Sequence, residues 1–114
     1  LSLLASVAGT PFATPLGDAL LFLEDIDEPL YRIDRMLTQL DLSGSLTGIR
    51  AMILGASIAS PSDADALAQI RDRAGDRTLV CGLPAGHTTP NLTLPLGCPA
   101  RIDTESSHLV IEHP

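Results

Sequence analysis

The sequence has no tryptophan, one tyrosine and two phenylalanines, so it offers no row of aromatic faces on which single-stranded bases could stack. It is also poor in positive charge. Lys and Arg number 7 against 14 Asp and Glu, a formal net charge of −7, which repels phosphate backbones and anionic lipid headgroups. A nucleic-acid partner is therefore excluded twice over. No apolar run reaches the roughly 18 to 20 residues that span a bilayer, and residues 1–7 lack the basic flank and length of a signal peptide. No membrane partner is expected. The two cysteines, Cys81 and Cys98, are too few for a disulfide scaffold and form no Cys-x-x-Cys pair. Buried free thiols are the expected state.

What is present fits one globular domain: 114 residues, 45% of them hydrophobic and 18% charged, enough to bury roughly two-thirds of the surface that the unfolded chain exposes. The chain begins without an initiator Met inside an apolar, helix-like segment, which reads as a piece cut from a longer polypeptide. Leu1 to Ala8 suggest a short helix closed by Gly9 and by the following Thr10-Pro11. Ala19 to Leu23 form a continuous apolar run of strand length, suited to burial on both faces. Asp27 offers itself as a helix cap with Glu28 and Pro29 in the first turn, and Leu30, Ile33, Met36, Leu37 and Leu40 then recur at helical spacing. After Gly44 and Gly48, Ile49 to Leu54 read as a second strand, completing a parallel crossover unit. A second crossover follows, with a helix opened by Ser60-Pro61, carrying Asp63 and Asp65 early and an apolar stripe of Leu67, Ala68 and Ile70, before a strand at Thr78 to Cys81. Beyond Gly82, proline and glycine punctuate short strand-like pieces at Asn91 to Leu94, Ala100 to Asp103 and His108 to Ile111, the texture of antiparallel hairpins or a small barrel. The expected fold class is α/β, and from the pattern alone half of a Rossmann sheet is the nearest architecture.

In such sheets, ligands bind where strands deliver residues at their carboxyl ends. Glu24 follows the first strand directly. His87 lies on the Gly-Leu-Pro-Ala-Gly-His loop after the third. A carboxylate touching an imidazole fixes the ring tautomer and stabilises the imidazolium formed during proton transfer, which is two-thirds of a catalytic triad. The alternative is that Glu24 is a helix-end charge and His87 an ordinary loop residue. His108 and His113 have no partner pattern, no cluster has metal-ligand spacing, and neither metal nor cofactor is called for. Asn91-Leu92-Thr93 matches a glycosylation acceptor.

The block Leu20-Leu21-Phe22-Leu23-Glu24-Asp25-Ile26, continuing through Glu28-Pro29-Leu30-Tyr31-Arg32-Ile33-Asp34-Arg35-Met36-Leu37, is preceded by Gly9-Thr10-Pro11 and followed later by Gly86-His87, Pro90-Asn91 and Leu94-Pro95-Leu96-Gly97. In these blocks the chain resembles the C-terminal domain of the LD-carboxypeptidases, also called muramoyltetrapeptide carboxypeptidases, over essentially its whole length. The resemblance implies a small swivelling β/β/α domain with a mixed sheet or partial barrel and two to three helices. It implies that residues 1–114 form the C-terminal domain of a serine peptidase of cytoplasmic peptidoglycan recycling, with the nucleophile on an N-terminal domain absent from this chain.

On that resemblance Glu24 is the triad acid and His87 the general base. The expected partners are a muropeptide tetrapeptide substrate, the protein's own N-terminal domain and a second copy in a homodimer. None of the serines here, Ser57 and Ser60 included, lies in a Gly-x-Ser-x-Gly elbow, so none is assigned as nucleophile and the chain alone is expected to be inactive. Tyr31, Arg32, Asp34 and Arg35 are read as the polar face of the helix and its ion pairs, with a grip on a substrate carboxylate by Arg32 or Arg35 as the lesser alternative. Two further functions stay open: a microcin C self-immunity peptidase of the same family, cleaving a peptidyl or aminoacyl nucleotide, and an inactive interaction domain that has kept the fold.

Overall fold

A computed structural model describes residues 1–58 and 64–112. The elements run α1 (Ser2–Val7), β1 (Leu20–Leu23), α2 (Leu30–Leu42), β2 (Ala51–Gly55), α3 (Ala64–Ala74), β3 (Thr78–Leu83), β4 (Ala100–Asp103) and β5 (His108–Ile111). The first three strands form a parallel sheet in the order β1-β2-β3, and β4 and β5 form a separate antiparallel pair. The class is therefore α/β with a parallel sheet and a hairpin, and the described strands close no barrel.

The parallel sheet follows from the two crossovers. A strand feeding a right-handed crossover returns beside itself with its helix on one face, and with strands in chain order both α2 and α3 fall on the same face. In α2, Ile33, Met36, Leu37 and Leu40 are buried, the i, i+3, i+4, i+7 stripe of a helix facing a core. In α3 the buried stripe is Ala66, Ile70 and Ala74, with Leu67 packed against it. Leu67 and Ile70 of the expected stripe thus face the core, whereas Ala68 is exposed and Ala66 takes its place. Met52 and Leu54 of β2 are fully buried with Leu21 and Leu23 of β1, and the register sets Leu21 opposite Met52 and Leu23 opposite Leu54. These four side chains share the helix-covered face, because alternate strand residues point the same way.

Four expectations are corrected. β1 is not buried on both faces: its residues alternate between half-buried and buried, because the hairpin covers the second face only in part. Asp27 does not cap α2. It sits at φ 54°, and the cap position is Pro29, without a side-chain cap hydrogen bond. Asn91 to Leu94 form no strand: Leu92 N–H donates to the Pro84 carbonyl at 2.7 Å and Asn91 Oδ1 accepts from Gly86 N–H at 3.0 Å, which ties the segment back on its own loop. Cys81 and Cys98 are free but only half-buried, and burial pushes the Cys81 thiol up despite the opposing charge of Arg71. Ser60, Pro61, Asp63 and His113 lie outside the described residues.

Candidate functional site

The carboxyl ends of the three parallel strands converge. β1 ends at Leu23, and the next residue is Glu24. β2 ends at Gly55, and Ser57 comes two residues later. β3 ends at Leu83 and turns into the loop that carries His87. Near that end the β2–β3 register slips, with Ile53 opposite Val80 but Gly55 opposite Leu83. β3 thus has one residue more than its partner, a β-bulge that bends the strand and re-aims the loop leading to His87. Gly82, at φ 77°, takes up the left-handed backbone within it.

Three donors meet on one oxygen. Glu24 Oε1 lies 2.5 Å from His87 Nδ1, accepts the backbone N–H of His87 at 3.1 Å and accepts the Ser57 hydroxyl at 2.9 Å. A carboxylate so held has little freedom to rotate. The Glu24 side chain is 16% exposed and the His87 side chain 60%, so a sheltered acid carries an imidazole that reaches into solvent. Burial alone would raise the Glu24 pKa. The hydrogen bonds from the His87 ring, Ser57 and the His87 backbone, together with the ring's charge, outweigh burial and hold the carboxyl below its ordinary range.

Two glycines make room for this carboxylate. A Cβ on Gly86 would stand 2.1 Å from Glu24 Cγ, and one on Gly55 would stand 2.8 Å from the Ala85 carbonyl oxygen and 3.0 Å from Glu24 Cγ. Gly86 also has φ 98°, a conformation that side chains with a Cβ rarely adopt. The adjacent Asp25 faces the other way: its carboxylate accepts the Ser2 N–H at 2.8 Å and the Ile26 N–H at 3.1 Å.

The structure brings Glu24 and His87 together and adds Ser57, which no elbow motif announces in the sequence. The signal that finds Ser57 is its place just beyond a strand's carboxyl end, as for the other two. The charged residues of α2 stand apart from this contact. Arg32 pairs with Glu28 at 3.4 Å, Asp34 reaches Arg73 of α3 at 3.0 Å, and Tyr31 and Arg35 are exposed. His108 opens β5 opposite Asp103. Among the described residues no group of three or more His, Cys, Asp or Glu could hold a metal ion, and no helix is long and apolar enough to cross a membrane.

Two grooves of about 490 and 390 Å³ lie elsewhere. Both run between the hairpin and the second face of the sheet, past Ile53 and Leu83, and neither is lined by Glu24, Ser57 or His87.

Residues 1–102 match the family described as LD-carboxypeptidase C-terminal domain. A Streptomyces coelicolor protein whose name calls it a carboxypeptidase is 39% identical over 100% of the chain and 38% of its own length. A Bacillus subtilis protein named as a probable murein peptide carboxypeptidase is 36% identical over 98% of the chain and 37% of its own length. Among solved structures, muramoyltetrapeptide carboxypeptidase from Oxalobacter formigenes superposes with a TM-score of 0.80 at 35% identity, covering 99% of the chain and 43% of that protein. Microcin C7 self immunity protein MccF, in complex with aspartyl sulfamoyl adenosine, superposes at 0.83 over 100% of the chain and 36% of its own length, but at 24% identity this likeness concerns the fold alone. The chain spans about two-fifths of the length of the relatives it matches.

Proposed function

Since the chain belongs to the LD-carboxypeptidase family, as its C-terminal domain, we propose that it is the acid and base half of a serine peptidase that removes the terminal D-alanine from muropeptide tetrapeptides. The observation that carries this reading is the contact of Glu24 Oε1 with His87 Nδ1 on a ring otherwise largely open to solvent. With Nδ1 engaged by the carboxylate, Nε2 is the nitrogen that takes and returns a proton. Such a pair needs a nucleophile. In this reading it is a serine on the N-terminal domain, and the short span of the chain relative to its relatives supports a missing partner domain.

The chemistry is set by these roles. His87 Nε2 accepts the serine proton as the hydroxyl oxygen attacks the carbonyl between the L-centre of meso-diaminopimelate, or lysine, and D-alanine. Glu24 holds the ring and stabilises the imidazolium. The proton passes to the departing D-alanine nitrogen, leaving an acyl-enzyme, and water activated by the same base then releases the tripeptide. No metal or cofactor is part of this scheme. The murein peptide carboxypeptidase name of a 36% identical relative favours this substrate class over the aminoacyl nucleotide, whose support is a fold likeness at 24% identity.

The direct test uses the full-length protein and a muropeptide tetrapeptide, with released D-alanine measured by mass spectrometry. His87→Ala or Glu24→Ala should lower the rate by roughly 10²–10⁴-fold while the circular dichroism spectrum stays native. Wild-type activity in either variant would remove the assignment. Cytoplasmic recycling and a homodimer belong to the same reading, and fractionation and sedimentation velocity examine them.

A further inference from the structure

The third donor on the Glu24 carboxylate has no part in the scheme above. Ser57 lies just past the carboxyl end of β2, is half-buried, and gives its hydroxyl hydrogen to Glu24 Oε1 at 2.9 Å. From the geometry we infer that Ser57 is a positioning residue: it locks the rotation of the Glu24 carboxylate, so that Oε1 faces His87 Nδ1.

One oxygen is held from two directions. The two hydrogen bonds that His87 makes to Oε1 come from the β3 side of the site. A carboxylate held from one side alone swings about its terminal torsion, which is broad and roughly two-fold. Ser57 comes from a different strand, so Oε1 is fixed between β2 and the loop after β3. The backbone N–H of the adjoining Ala56 donates to the Leu83 carbonyl at 2.9 Å, which pins the Ser57 segment to the end of β3. Each parallel strand thus supplies one member: the carboxylate from β1, the hydroxyl from β2 and the imidazole from β3. Ser57 is not offered as a nucleophile, because its hydroxyl is already donated to the carboxylate that orients His87.

This inference rests on the proposed function only for its kinetic test, and a second readout is independent of it. In the full-length protein, Ser57→Thr keeps a hydroxyl, and Ser57→Val has the same shape without one. Ser57→Thr should release D-alanine within about twofold of wild type, and Ser57→Val and Ser57→Ala should lose about tenfold in kcat with KM unchanged, a hydrogen bond's worth of orientation. A packing role would treat Thr and Val alike, so equal rates for these two variants would overturn the inference. If Glu24→Gln also runs at the wild-type rate, the triad itself falls.

The independent readout is the Glu24 carboxyl titration, followed by carbon NMR on glutamate-labelled protein. Among the described residues His87 is the titratable side chain in contact with Glu24. The Glu24 midpoint should rise in Ser57→Val and Ser57→Ala and stay near wild type in Ser57→Thr. A midpoint unmoved by loss of the hydroxyl would overturn the inference even in a protein with no D-alanine release.

Discussion

Gly86 lies so close to Glu24 that a Cβ on the glycine would stand 2.1 Å from Glu24 Cγ and 2.5 Å from Cδ. The residue before the imidazole is thus shaped by the acid that the imidazole meets. Gly86→Ala should displace the carboxylate, strain a backbone at φ 98° and break the contact with His87. The expected outcome is a loss of D-alanine release of roughly a hundredfold with a stability loss of about 1–3 kcal/mol, read by the release assay and a urea unfolding curve.

Gly55→Ala tests the same crowding from β2. Its Cβ would meet the Ala85 carbonyl oxygen at 2.8 Å, a backbone atom that cannot turn aside as a side-chain end can. This variant should be destabilised by about 1–3 kcal/mol, the usual cost of overpacking, and the backbone amide of Ala85 should shift in an NMR spectrum.

The pH dependence of stability has a definite sign. Burial pushes the Glu24 pKa up, but its hydrogen bonds to His87 and Ser57 and the ring's charge bring it below the ordinary 4.5. A carboxyl held below its unfolded value stabilises the fold above that value, and the contribution is lost as pH falls through the folded one. Unfolding free energy should therefore drop between about pH 6 and about pH 3, and Glu24→Gln should drop less over the same interval. Urea unfolding at the two pH values measures both slopes.

Core and surface changes should separate cleanly. Leu40 is fully buried on α2, and Leu40→Ala should cost about 2–5 kcal/mol. Asp34 and Arg73 form a half-exposed pair between α2 and α3, and Asp34→Ala should cost no more than about 1 kcal/mol and leave activity unchanged. Thermal unfolding distinguishes the two.

Much of this architecture is legible in the sequence, and the misses have physical causes. The stripe Ile33, Met36, Leu37, Leu40 announces α2 because burial against a sheet demands that spacing. β4 and β5 begin and end with the strand-like pieces Ala100 to Asp103 and His108 to Ile111. Asp27 has the chemistry of a cap, but its left-handed backbone and the fixed φ of Pro29 start the helix later. Asn91 to Leu94 have strand-like composition, yet Asn91 spends its side-chain oxygen on Gly86 N–H, a competition that no periodicity reveals. Glu24 and His87 are visible from the strand ends that carry them. Ser57 escapes because an elbow motif tests a serine only as a nucleophile, whereas its hydroxyl is directed at Glu24.

The contact between positions 24 and 87 bridges 63 residues of chain and has two crossover helices inside it. Closing so long a loop carries an entropic cost that no local contact offsets, so the pair meets only after β1, β2 and β3 have found their register. Acid and base are therefore separated in every partly folded state that lacks β3, including any nascent chain that has not yet delivered residue 87. The pairing of Glu24 with His87 serves as a marker of the completed parallel sheet, and it should form in one step with β3, the last strand of that sheet, rather than grow with each strand.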